Sequence, residues 1–531
     1  GSLDLHATGT LDINQSIEAG PEGNLDLDGD TALTLATGAD LTAGGNITVN
    51  SDLLLDDPAG DSTVTSEEGD ITLANVSAVE VRNLIVNAAE GTVTIRSLGS
   101  VELVPIDNEV EDLTITAGNV VITNATDGLI DGNLNITSTG DVTNADGLVA
   151  GTGNSLGVGG DANIASRNVD IDGDLDVTGN IAITALQDIG VGAGTSAPAN
   201  TNVTAGGGIG ISLTADSDDD GDGGVLMNDA GLTATLGNVT IEGNGVLVDD
   251  VVAPTAGASI TIDGGRTGIA AQNPGDADPD LTADNLDLDA FGTINVDTKA
   301  INIDAATTGF GSTITIVNAI DDDVVFQGVT SGEDADIILQ NSGDELLTVT
   351  GTRTTSGDIS ITGSGAMQIN RVAAGDVNLV NGNIDDAHSV SIVSDAAGAI
   401  TIAAAGISAD FGVLVRNVDG DINLNVESIF SGANVNIDST NGSITDIPGS
   451  GLVNIRAPGT ATLIADDEVG NLFEFVEVDV GELLVSANSD DVDSGYVAAL
   501  AGNADGSIGP RDVDFIGDPP GFLVWNGNVI G

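Results

Sequence analysis

Short runs of alternating apolar and polar residues recur along the chain, each opened by a glycine and a small polar residue. Gly357-Asp358-Ile359-Ser360-Ile361 is followed by Gly375-Asp376-Val377-Asn378-Leu379 and Gly398-Ala399-Ile400-Thr401-Ile402. The same phrase returns as Gly420-Asp421-Ile422-Asn423-Leu424 and Gly442-Ser443-Ile444. Alternation with period two after a turn residue predicts a short strand with one buried face. The glycines stand 18, 23, 22 and 22 residues apart. Further short strands fall between them, at Met367-Gln368-Ile369, Val390-Ser391-Ile392, Val413-Leu414-Val415 and Val435-Asn436-Ile437. Two or three strands per period of about 22 residues predict one coil of a β-solenoid. A single coil has too few inward aliphatic side chains to exclude water, so coils must stack to bury a continuous core.

The phrase also fills the first half. Gly45-Asn46-Ile47, Gly69-Asp70-Ile71 and Gly91-Thr92-Val93 are 24 and 22 residues apart, and Gly118, Gly140, Gly160 and Gly179 continue at 27, 22, 20 and 19. The expected fold is therefore all-β, a parallel β-helix of about 20 coils with little or no helix, on the order of 100 Å long at roughly 4.8 Å per coil. The repeating part is expected over residues 1–488. Residues 489–531 lose the phrase, hold the only Tyr (Tyr496) and Trp (Trp525), and end in the hydrophobic run Phe522-Leu523-Val524-Trp525. That tail reads as a cap over the last coil or as a strand that pairs with a neighbouring molecule.

Composition sharpens this picture. No Phe, Trp or Tyr precedes Phe291, so Val, Ile, Leu and Ala must fill the first half of the core. A net charge of −73 would ordinarily point to disorder. The mean hydropathy of +0.19 and the regular aliphatic spacing argue against it. With 83 acidic residues against 10 Lys and Arg, nucleic-acid binding is excluded as an expectation, because phosphate contacts need a basic patch. No run of 18 apolar residues predicts a membrane-spanning helix. So large an imbalance repels itself unless cations screen it. The lack of cysteine agrees with a secreted microbial protein. The chain starts without Met or a signal peptide, and Leu3-Asp4-Leu5 already alternates, so a processed product or a fragment is expected.

The phrase G-[DN]-[IVL]-x-[ILV], repeated over most of residues 45–488, resembles the filamentous-haemagglutinin-type repeats of large bacterial surface adhesins. That resemblance implies a right-handed parallel β-helix, secretion and a surface or adhesive role. It does not extend to an N-terminal secretion domain, and the acidity is far greater.

One stretch has the pattern of a cation loop: Asp216-Ser217-Asp218-Asp219-Asp220-Gly221-Asp222-Gly223. Carboxylates at alternate positions, Asp216, Asp218, Asp220 and Asp222, beside turn glycines can converge on a hard cation such as Ca²⁺. The start resembles an EF-hand-like loop, but Met227 stands where a bidentate Glu would close it. The plainer alternative is a solvated acidic loop. His6 and His388 are far apart and have no cysteine beside them, so zinc is not expected. Paired carboxylates could serve glycosidase chemistry, but Asp is too abundant here to be informative. The ten basic residues are scattered, and sugar-stacking aromatics are scarce. The expectation is a non-enzymatic, secreted structural or adhesive β-solenoid of an extracellular fibre, sheath or adhesin. Its acidic surface would be screened or bridged by cations, and it would self-associate end to end or side by side, with cell-surface or matrix polysaccharide as a further partner and no membrane insertion. The alternative is a carbohydrate-active or carbohydrate-binding β-helix protein: a polysaccharide lyase, a hydrolase or a lectin.

Overall fold

The computed structural model describes the chain except residues 37, 57–60, 79–81, 99–109, 125–127, 147–154, 193–200, 274–277, 375–388, 405, 448–452, 471–475, 488–496, 500–512, 516–523 and 526–531. The Gly375 phrase, His388 and most of the 489–531 tail lie outside the described residues. The chain is an all-β parallel β-solenoid of about 18 turns, with no helix among the described residues. It divides into two compact units, Gly1–Asn273 with Asp280–Asp284, and Pro274–Pro279 with Asn285–Gly531.

Each unit winds three strands to a turn. In the first, Ala162–Ser166, Asn168–Ile171 and Asp174–Val177 make one turn. Ile181–Ala185, Ile189–Val191 and Thr201–Ala205 make the next and pair with them in parallel, strand for strand. Register along one inner edge runs Leu25, Ile47, Ile71, Val93, Val120, Val142, Val169, Ile189, Val225, Val246, Ile269. Every one of these side chains is buried. In the second unit the corresponding line is Ile294, Ile314, Ile337, Ile359, Val390, Val413, Val435, Ala461, Leu483, again all buried. Fully burying one such aliphatic side chain is worth roughly 1.5–3 kcal/mol. Repetition of that gain offsets the ordering of each added turn. Among the described residues, the first unit fills its core with aliphatics and Met227, while the second also buries the ring of Phe326, at 0% exposure.

The polar residue after the corner glycine has a definite task. The backbone carbonyl of Asn46 accepts from Leu25 N–H of the turn before, at 2.9 Å. The N–H of Asn46 therefore needs an acceptor from that earlier turn. It finds Asn24 Oδ1 at 2.9 Å, since the Asn24 carbonyl already serves Leu3 N–H. Asn46 Oδ1 then accepts from Asp70 N–H at 3.0 Å, and Asp70 Oδ1 from Thr92 N–H at 2.8 Å. The device recurs in the second unit, where Asp336, Asp358 and Asp421 accept from Asp358, Ser389 and Ser443 at 2.8, 2.6 and 2.9 Å. An Asn or Asp thus closes the ladder where the chain bends and main-chain acceptors run short. The glycine before it is needed for room. A Cβ on Gly69 would sit 2.5 Å from the carbonyl carbon of Gly45 and against Asn46 Oδ1.

The phrase does not mark a single edge. Gly118 and Gly140 stand above Gly91, but Gly160 stands above Gly132 and Asn133 at another corner, as does Gly179 above Gly160. In the second unit Ile359 registers with Val390, whereas Ile400 registers with Met367 and Ile422. The corner at Gly160 has the same crowding and the same device, with Asn133 Oδ1 and Asp161 Oδ1 accepting from Asp161 N–H and Asn180 N–H at 2.9 and 2.7 Å. Turn lengths follow real register rather than glycine spacing. They run from the 19 residues between Ala162 and Ile181 to the 36 between Ile189 and Val225. These long turns are why about 18 rather than about 20 are counted.

Within the tail, Val497–Ala499 pairs in parallel with the strand Val476–Ala487, as does Val513–Phe515, and Val524–Trp525 pairs with Val497–Ala499.

Two substitutions separate corner from core. Asn46→Ala should cost about 1 kcal/mol, the net worth of one hydrogen bond, and speed amide exchange at Asp70. Ile47→Ala should cost about 2–5 kcal/mol by leaving a cavity. Urea melting with residue-resolved exchange reads both. Unchanged exchange at Asp70 in Asn46→Ala would show that the corner oxygen is idle.

Candidate functional site

The acidic run sits where the longest turn of the first unit is extended, between the strands Gly210–Thr214 and Val225–Met227. Asp216 (φ 54°), Asp219 (φ 56°) and Gly221 (φ 89°) adopt left-handed backbone, a conformation that Asp and Gly tolerate best. This curls the segment on itself. Asp219 N–H donates to Asp216 O at 3.0 Å, and the N–H groups of Asp220 and Gly221 donate to Asp216 Oδ1 at 3.1 and 3.2 Å. Asp216, Asp218 and Asp220 each bring a carboxylate oxygen within 4.8 Å of the others. That set suits a hard, oxygen-seeking cation. Asp222 is not part of the trio. Its N–H donates to Asp220 Oδ1 at 2.9 Å, and the residue lines a neighbouring groove.

That groove holds about 620 Å³ between Asn168, Asp170, Gln187, Asp188, Asp222 and Leu226, with no basic residue among its lining. Asp188 is fixed by accepting Gly224 N–H at 2.9 Å. Asp170 points outward from Asn168–Ile171, and its Oδ1 is closed off from solvent without a hydrogen-bond partner. Burial first, and then the Asp172 carboxylate beside it, push the Asp170 pKa up to about 6. Asp170 therefore holds its proton into the mildly acidic range.

A second groove, of about 590 Å³, lies in the second unit. On its floor the strands Met367–Ala374, Ile407–Ala409, Ile429–Ser431 and Ile455–Ala465 run in register, with Ala373, Ser408, Phe430 and Arg456 facing outward in line. The buried side chains Val372, Ile407, Ile429 and Ile455 hold it from beneath. Arg371 lies at one end and Arg456 at the other, with Glu427 also lining it. These two arginines are 85 positions apart in sequence. Reading the basic residues as scattered missed them, because only the strand register brings them to one face.

The fold places the chain in the class of parallel β-solenoids. Compared with protein-family models, curated proteins and solved structures, the chain matches none.

The raised Asp170 pKa has a definite sign. In the folded state Asp170 holds its proton to about pH 6, whereas the unfolded chain releases it near 3.8. The stability contributed by the protonated form is complete below about pH 4 and is lost as pH rises through 6. Asp170→Asn should therefore melt higher than the parent at pH 7, and the gap should close only below about pH 4. An equal gap at both pH values, or a lower melting point at pH 7, would contradict this.

Proposed function

We propose that this chain is a secreted structural or adhesive solenoid of the microbial cell surface, similar in role to filamentous-haemagglutinin-type adhesins, with cations screening and bridging its acidic faces. The observation that carries the reading is repetition. Turn after turn spends its residues on the same ladder, corners and aliphatic line, which is what a scaffold needs. Charge supports it. In-register acids face one another on adjacent turns, as with Asp4 and Asp26, and Glu242 and Asp263. Like charges about 4 Å apart in water repel by about 1 kcal/mol, and neighbouring turns lie well inside the roughly 8–10 Å screening length of ordinary salt. A chain carrying −73 charges gains most from an environment rich in salt or divalent ions. The Asp216, Asp218 and Asp220 loop is the place where one Ca²⁺ would be held most closely, and surface carboxylates would bind more weakly, between molecules.

The test is calcium added to chelator-treated protein, followed by melting and by electron microscopy. The proposal expects a higher melting temperature and the appearance of fibres or side-by-side arrays. Asp218→Asn with Asp220→Asn should remove part of the thermal shift. No thermal shift would remove the cation component, and monodisperse monomers at high salt and calcium would remove the assembly.

A further inference from the structure

We infer that the groove of the second unit between Arg371 and Arg456 is a binding site for a carboxylate-bearing sugar, a uronate unit of an acidic polysaccharide. The groove's chemistry differs from that of the acidic groove in the first unit. The chain has 83 acidic and 10 basic residues, yet two of the ten line one depression. Arg371 is exposed and forms no ion pair among the described residues. Arg456 has its Nε 3.6 Å from Asp479 Oδ2, too long for a hydrogen bond, and its side chain is 50% exposed. A guanidinium offers donors in a planar fork that matches the two oxygens of a carboxylate.

The rest of the groove fits a sugar ring better than a bare anion. Phe430 stands in register between Ser408 and Arg456, is partly exposed and lines the groove, so it offers an aromatic ring for the C–H face of a pyranose to pack on. Ala373 and Ser408 are small, which makes the depression beside the ring. Glu427 adds an exposed carboxylate that accepts from sugar hydroxyls. It is held by the N–H that it donates to Val453 O at 2.7 Å. The volume of about 590 Å³ falls within the usual range of small-molecule sites, about 300–1,000 Å³. Nucleic acid is disfavoured. It carries a charge every ~1.7 Å, and a chain of −73 would repel it well beyond two arginines. A uronate polymer carries one charge per charged sugar, so Arg371 and Arg456, on strands three turns apart, can each seat the carboxylate of a different sugar.

The inference is independent of the scaffold reading. Assembly without sugar binding would sink only the groove, and binding without assembly only the scaffold.

The experiment is calorimetric titration of the full chain with a tetramer of galacturonic acid, its methyl ester and the neutral galactose tetramer. Saturable binding of the free acid is expected, with the methyl ester and the neutral sugar at least about tenfold weaker, the worth of a charged hydrogen bond. Arg371→Ala with Arg456→Ala should weaken the acid by about tenfold or more per arginine, and Phe430→Leu should weaken all three sugars. Both arginines are exposed, and melting checks that the variants fold. Three results would overturn the site: no saturable binding, equal binding of acid and methyl ester, or full binding by the double variant. Loss of self-association in the double variant, with no sugar bound by the parent, would assign the groove to an acidic turn of a second copy instead.

Discussion

A parallel coil can stack indefinitely along its straight faces, but at each bend the main chain runs short of acceptors. The side-chain oxygen of an Asn or Asp makes up the shortfall. Asn46 shows the arrangement in full: its carbonyl serves the turn before, its N–H takes the oxygen of Asn24, and its own side chain receives Asp70. The glycine ahead of it leaves room for that oxygen. One such bond is worth only about 1 kcal/mol, less than one buried isoleucine. Its weight lies in specificity, because a bend with a stranded N–H would fray the strands on both sides and shift their register. The aliphatic lines supply the energy, and the corners fix where each turn must lie.

The fold was legible for this reason. The phrase of glycine, Asn or Asp, then aliphatic–polar–aliphatic is the local solution to a corner, and it recurs along most of the chain. Less legible was which corner each phrase occupied. Gly140 and Gly160 read as one series but stand at different bends, because spacing of about 20 residues arises equally from one short turn or from part of a long one. The acid run at Asp216 was visible as composition, and three of its four named carboxylates converge. Asp222 departs because the backbone leaves the curl through Gly223, at φ 152°, toward Asp188. Neither groove was legible. Asp170 and Asp222, or Arg371 and Arg456, come to line one groove only once successive turns are in register, and no local pattern records that.

The grooves also show how a monotonous architecture acquires chemistry. A straight ladder gives every outward position the same neighbours one turn above and one below. Two departures break the monotony. The first unit extends a corner, and the extension brings Asp222 beside Asp170 and Asp188. The second sets small residues, Ala373 and Ser408, in line with large ones, Phe430 and Arg456. In both cases the supporting strands remain in register, so the surface changes without disturbing the core.

The central claim is that consecutive turns lie in parallel register, one directly on the next. The chain has no cysteine, so introduced pairs report cleanly. Thr48, Thr72 and Thr94 face outward on successive turns and pair in register. Adjacent turns put partners about 4.8 Å apart, within reach of a disulfide, and two turns put them roughly 9.6 Å apart, beyond it. Mild oxidation should link Thr48→Cys to Thr72→Cys within one molecule and leave the pair Thr48→Cys and Thr94→Cys open. The reverse result, with the distant pair linked and the near pair free, would contradict the stacking on which the account stands.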